Sequence, residues 1–146
     1  MPLRPISENE LSRWRTMRSH IYPELDDEYD SQEMEMILHS NYWFCFFVID
    51  EAEQIIGLVE LSLRNIVDNC LTSPVAYLEG LYLEEAWRGQ GLGREVIRHI
   101  FAWCRERGLS ELATDAELHN EAAQAFYRAL GFEETDRVVE FKIEVE

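Results

Sequence analysis

Three sets of residues in this chain have types and spacings suited to chemistry. The first is Arg88-Gly89-Gln90-Gly91-Leu92-Gly93-Arg94. Glycine lets a backbone turn with positive φ and approach a ligand with no Cβ in the way. Between a strand and a helix, such a turn presents the helix's first amides and the positive end of its dipole, which together bind an anion. Arg88 and Arg94 are placed for charge-assisted contacts to phosphate oxygens. No Gly-Lys-Ser/Thr follows, so this is not a Walker loop. Nor is it a GxGxxG after an early strand with an acid about 20 residues further on. The plain alternative is a tight turn without a ligand; the strand–turn–helix setting and the flanking arginines favour an anion site.

The second set is acidic. Glu79 interrupts the apolar run Val75-Ala76-Tyr77-Leu78-Glu79-Gly80-Leu81. A carboxylate there is expensive unless it is paired or faces a cleft. Asp115 closes the next strand, at the end where loops carry function in open sheets. Either these are a salt-bridged strand acid and a turn aspartate, or they converge on one cleft, bind an ammonium group and help to remove its proton. The third set is Asn120 with Tyr127. Asn120 has the residue type of a helix N-cap. Tyr127 shares a helical face with Ala123, Phe126 and Leu130. A core position suits Phe126 better, because a buried tyrosine hydroxyl needs a partner.

The elements that must position these residues follow from periodicity. Ser7 with Glu10 forms a capping-box pattern, and Leu11, Trp14, Met17, Arg18 and Ile21 then run at helical spacing until Pro23. An acidic stretch, Glu24 to Glu35, reads as a solvated face or as part of an anionic rim, with a short helix after it carrying Met34, Ile37 and Leu38. Strands are expected at Tyr42–Ile49, Ile55–Leu63, Val75–Leu83, Glu111–Asp115 and Val138–Val145, and helices at Gly91–Arg107 and Asn120–Leu130. Helices, an antiparallel meander and then β-α-β-α-β give a mixed α/β sheet with helices on its faces. No repeat or linker divides the chain, so residues 1–146 read as one domain.

Composition excludes several classes. The 146 residues are 47% hydrophobic and 29% charged, as in an ordinary globular domain. There are 13 Lys and Arg against 29 Asp and Glu, a formal charge of −16. Too few cations are present to neutralise a phosphate backbone, so nucleic acid is not the expected partner; a cationic one is. Cys45, Cys70 and Cys104 are widely spaced, which supports neither a disulfide framework nor a metal site. With no signal-peptide pattern and no apolar run near bilayer length, a cytoplasmic, membrane-free protein is expected.

Arg88-x-x-Gly91-x-Gly93 resembles the Q/R-x-x-G-x-G/A pyrophosphate motif of the GCN5-related N-acetyltransferases, and Asn120-Glu121-Ala122-Ala123-Gln124-Ala125-Phe126-Tyr127-Arg128-Ala129-Leu130-Gly131-Phe132 resembles the block that ends their coenzyme-binding half. The resemblance covers nearly the whole chain. It implies a central twisted sheet of about six to seven strands flanked by about four helices. It also implies acetyl-CoA as co-substrate, with no metal. The diphosphate would lie on Arg88, Gly89, Gln90, Gly91, Leu92, Gly93 and Arg94, and the pantetheine along Leu81, Tyr82 and Leu83 and against Asn120. An amide near Leu81 would serve as oxyanion donor, and Tyr127 would protonate the departing thiolate.

Trp14-Arg15-x-x-Arg18 through Tyr22-Pro23, Ser73-Pro74 through Leu81, and Gly131 through Arg137 further resemble aminoglycoside 6'-N-acetyltransferases. In that branch the residues matching Glu79 and Asp115 hold the drug's amines, with Tyr22 and Asp136 lining the same pocket. A polycationic drug suits a carboxylate-rimmed pocket. Tyr22 stands where close relatives often carry tryptophan, and Ile66 where a pocket tyrosine is found, so the drug range departs more than the reaction. A homodimer is implied by the same resemblance. Acetylation of a polyamine, a peptide N-terminus or another small amine stays open, as does a non-catalytic acetyl-CoA-binding domain.

Overall fold

A computed structural model describes residues 3–146, which fall into two compact units, one ending at Thr114 and one spanning Asp115–Glu146. In the first, Trp43–Ile49 (β2), Ile55–Arg64 (β3) and Val75–Leu83 (β4) form the expected meander. The hairpin between β2 and β3 turns on Asp50, whose Oδ1 accepts from the amides of Ala52 and Gln54. Leu3–Pro5 (β1) adds an antiparallel edge beside Phe46–Val48, and Leu112–Thr114 (β5) joins β4 in parallel. Strand order is therefore β1-β2-β3-β4-β5. A parallel partner requires a crossover, which the helix Leu92–Glu106 (α3) supplies. Sequence reading missed β1 because three residues are too short to show alternation.

The Ser7–Glu10 box is present. Glu10 accepts from the Ser7 amide and hydroxyl, and Arg4 holds it with two N–H groups at 2.9 Å each. It heads a 3-10 turn, Glu8–Glu10, that leads into Leu11–Ile21 (α1). The next helix, Asp27–His39 (α2), corrects one expectation: it begins inside the acidic stretch rather than after it. Asp26 caps it by accepting from the Glu28 amide, and Asp27, Glu28 and Asp30 in its first turn suit the positive end of the helix dipole.

Alternation along β2 divides the core. Phe47 faces Trp14 and Met17 of α1 and Met34 and Ile37 of α2, joined by Leu58 of β3. Phe44 and Phe46 point the other way, edge-on to Trp103 of α3 at 5.2 and 6.4 Å. Val96, Ile97, Ile100 and Cys104 make the buried stripe of that helix.

In the second unit Asn120 caps Glu121–Ala129 (α4), its side chain accepting from the Ala123 amide at 3.1 Å. The expected strand Val138–Val145 is not formed. Val138, Val139, Phe141, Ile143 and Val145 are 63–95% exposed and enter no ladder with the described strands. Apolar alternation marks a segment able to be a strand, but only a paired neighbour makes it one. The described sheet thus has five strands rather than six to seven, with four α-helices in a mixed α/β arrangement.

Candidate functional site

The centre of the larger unit is a β-bulge. Glu60 of β3 pairs with Gly80 and Leu61 with Leu78, which leaves Glu79 as the extra residue on β4. Bulges re-aim side chains, and this one sets the Glu79 carboxylate against Ser62 and Arg64. Ser62 donates its hydroxyl to Oε2. Arg64 reaches Oε1 and Oε2 through one terminal nitrogen at 2.9 and 3.0 Å, and Oε2 again through Nε at 3.2 Å. The same guanidinium lies 3.5 Å from the centroid of the Tyr77 ring. Glu79 is therefore an ion-paired strand acid, and its side chain remains 14% exposed beside an arginine that is 44% exposed.

Tyr22, at the end of α1, donates its hydroxyl to the Glu79 carbonyl at 3.0 Å. The bulge is thus pinned from the helix side. Gly80 makes this possible: a Cβ there would lie 2.8 Å from the Tyr22 hydroxyl and 3.2 Å from Ile21. Burial, with Glu60 nearby, pushes the Tyr22 phenol well above its ordinary range, so it remains a donor at neutral pH.

Beneath the bulge lies a charge cluster absent from the sequence reading. Glu60 is wholly buried, accepting from Arg18 at 2.7 and 2.8 Å and from the Trp14 indole at 2.7 Å. The remaining Arg18 nitrogens hold Asp30 and Glu33 at 2.7 Å each. Burial opposes the charge on Arg18, but Glu60, Asp30 and Glu33 outweigh it and hold the guanidinium above its usual value. Asp30 therefore belongs to the interior side of α2 and not to a solvated face or rim, while Glu33, 31% exposed, reaches Arg18 from the edge of the cluster. The signal was available: Glu60 interrupts an apolar strand just as Glu79 does.

Past Leu78, β4 and β5 part. Their ladder stops at Thr114, whose hydroxyl donates to the Leu78 carbonyl at 2.8 Å. Leu81, Tyr82 and Leu83 continue β4, half-buried, with Tyr82 stacked on His20 at 4.9 Å. Arg88 then folds back, donating from Nε to the Leu83 carbonyl at 2.9 Å, and Gln90 donates to the Ala86 carbonyl at 2.8 Å. These two side chains build the turn itself. Gly89 and Gly91 take φ of 75° and 77°, and Gly91 is the N-cap of α3 with no side-chain cap. Leu92, Gly93 and Arg94 form the first helical turn, with Gly93 buried and Arg94 exposed. A Cβ on Gly89 or Gly91 would meet nothing within 4 Å, so the turn is open above and its glycines answer to φ rather than to crowding.

The second unit holds the other expected residues. Asp115 is exposed and opens the unit directly after β5. Tyr127 is half-buried, edge-on to Phe126 and to Phe132, each at 5.4 Å. Asp136 is exposed and accepts from the Arg137 amide at 2.8 Å. The structure thus brings Tyr22 to Glu79, and Arg88 to the end of β4. Sequence reasoning missed Arg18, Glu60, Ser62 and Arg64 at the site. No group of His, Cys, Asp and Glu among the described residues is arranged to hold a metal ion.

A family model described as the acetyltransferase (GNAT) family matches residues 11–132. An aminoglycoside N(6')-acetyltransferase type 1 from Acinetobacter genomosp. 13 is 36% identical over 143 residues, 97% of each chain. The crystal structure of an aminoglycoside antibiotic 6'-N-acetyltransferase from Acinetobacter haemolyticus superposes with a TM-score of 0.87 at 33% identity, covering 100% of both chains. AAC(6')-Iy in complex with the bisubstrate analogue CoA-S-monomethyl-acetylneamine gives a TM-score of 0.84 at 29% identity, over 98% of this chain and 97% of that one.

Proposed function

The chain belongs to the acetyltransferase (GNAT) family, and we propose that within it the enzyme transfers acetyl from acetyl-CoA to the 6'-amine of aminoglycosides. One structural observation carries the donor half of this reading. A glycine-turned, uncapped helix N-terminus is tied by Arg88 to the end of β4, where the β5 ladder has already stopped. Such a turn suits a diphosphate, and a strand still paired to β3 on one side but past the end of its β5 ladder on the other suits an amide-bearing arm. The acceptor half is supported by relatives named for aminoglycoside acetylation that match over nearly their full length. That same coverage supports reading residues 1–146 as a single acetyltransferase domain.

Acetyl-CoA supplies an activated thioester. In the proposed step the chain's residues do the rest. The turn Arg88–Arg94 and Asn120 hold the donor, and the Leu81 amide faces the carbonyl oxygen as charge develops on it. Glu79, Asp115, Tyr22 and Asp136 receive the polycation, and an acid takes a proton from its 6'-ammonium. The freed amine forms a C–N bond as the C–S bond breaks, Tyr127 gives its proton to the leaving sulfur, and the proton shed by the new amide nitrogen restores the Tyr127 hydroxyl. No metal enters the step.

The test mixes protein, acetyl-CoA and tobramycin or kanamycin, follows free thiol, and locates the new acetyl group by NMR. Acetylation at the 6'-nitrogen is expected. Turnover only on polyamines or peptides would replace the acceptor, and donor binding without turnover on any amine would leave a non-catalytic domain.

A homodimer is part of this proposal. Exposed Val138, Phe141 and Ile143 on an unpaired segment supply apolar surface for a second copy to cover. No described helix is long and apolar enough to cross a membrane, and the cytoplasm is the proposed location.

A further inference from the structure

Arg64 has no part in the proposed step, yet it occupies the carboxylate that step assigns to the acceptor. Its Nε and one terminal nitrogen make three contacts to Glu79 of 2.9–3.2 Å, and Ser62 donates to the same carboxylate. An ammonium group arriving at Glu79 therefore meets a carboxylate already holding a cation. The backbone beneath Arg64 is fixed. It ends β3 in register with Val75, and the loop after it is tied down by Ser73 to the Asn65 carbonyl and by Glu111 to the amides of Leu71 and Thr72. Only the side chain is placed to move: it is 44% exposed and lies over the ring of Tyr77, itself a buried residue.

Water competes at the arginine end of this pair, which is 44% exposed while the Glu79 side chain is 14% exposed, so the guanidinium is the partner held weakly. A ligand cation can therefore take the place of this guanidinium, as it cannot for Arg18, whose side chain is fully buried. Tyr77 gives the displaced guanidinium a π face to rest on.

We propose that Arg64 is a resident cation on Glu79, an internal stand-in for the acceptor's ammonium group that the acceptor displaces on binding. Arg64 thereby sets the acceptor threshold. A monoamine gains one ion pair and breaks one, for no net advantage. A polyammonium acceptor gains further pairs elsewhere and displaces the arginine with a surplus. This deepens the aminoglycoside reading and rests on it for the identity of the acceptor.

The test is calorimetric binding of tobramycin and of 6-amino-6-deoxyglucose to protein saturated with coenzyme A, which requires no turnover. Arg64→Gln is expected to bind tobramycin about two- to fivefold more tightly, the range an exposed pair supports, with a steeper salt dependence. Monoamine binding should become measurable in Arg64→Gln, and Arg64→Lys, which keeps the charge but loses the fork, should fall between. Unchanged or weaker tobramycin binding by Arg64→Gln, in protein whose melting temperature shows that it is folded, overturns the proposal. So does failure of both proteins to bind tobramycin. Binding as expected with no thiol release on any aminoglycoside would overturn the proposed reaction and leave the displacement standing. Turnover with unimproved binding by Arg64→Gln would do the opposite.

Discussion

Glu60 and Glu79 lie on neighbouring strands, each inside an apolar run and each held by an arginine, yet they occupy opposite situations. Glu60 and Arg18 are sealed from water, with every nitrogen of the guanidinium engaged by carboxylates. Glu79 and Arg64 meet at the surface beside the bulge. A buried pair cannot trade partners, because removing one ion strands the other in a medium that does not solvate it. An exposed pair can. The first pair fixes α1 and α2 to the sheet, and the second keeps a carboxylate available.

Replacing one buried partner gives the largest stability effect. Glu60→Ala, which leaves Arg18 one carboxylate short, is expected to destabilise by about 3–5 kcal/mol. Urea unfolding measures it, and a loss below about 1 kcal/mol would place Glu60 in the same class as Glu79. On activity, Asp115→Asn should lower kcat/KM by about 10²–10⁴-fold if this residue is the general base, with coenzyme A affinity unchanged in a direct titration. Equal losses in both would make Asp115 structural. Glu79→Gln should separate the two strand acids cleanly. Its stability change is expected within about 1 kcal/mol, while KM for tobramycin rises about tenfold, because the acceptor then meets an Arg64 guanidinium that no carboxylate neutralises. A large stability loss with unaltered KM would reverse the assignment.

The Arg4–Glu10 pair, 39% and 22% exposed, extends the comparison to a local pair near the N-terminal edge, and it should be the smallest effect. Arg4, with help from the Ser7 hydroxyl and amide, lowers the Glu10 carboxyl to about 2 from 4.5. A carboxyl lowered on folding contributes stability that is complete above its unfolded value and is lost as pH falls through the folded one. The difference in melting temperature between wild type and Glu10→Gln should therefore be steady above pH 4.5 and vanish toward pH 2. A difference that stays flat down to pH 2 would mean the pair contributes nothing.

What the sequence made legible was local. The Gly89–Gly91 turn, the stripe of α3, the Asn120 cap and the Ser7–Glu10 box are each written within a few residues, by types whose conformational preferences survive tertiary context. What it hid was long-range. Arg18 finds Glu60 42 positions away, and Arg64 finds Glu79 15 positions away. Nothing in either neighbourhood names the partner, although an acid in an apolar strand announces that a partner exists. Val138–Val145 failed in the opposite sense, since alternation records a capacity to pair and the ladder belongs to two segments. The bulge lay between these cases. Gly80 beside Glu79 hinted at a backbone irregularity, but only the register with β3 shows which residue is extra.

Gly89 and Gly91 sit where an added methyl group would touch nothing. The constraint on them is chirality rather than volume. L-alanine would find room and still carry the left-handed penalty of roughly 1–2 kcal/mol, whereas asparagine, which tolerates that handedness, would carry less. Sequence drift in this turn is therefore governed by a stereochemical filter and not by the room around its backbone.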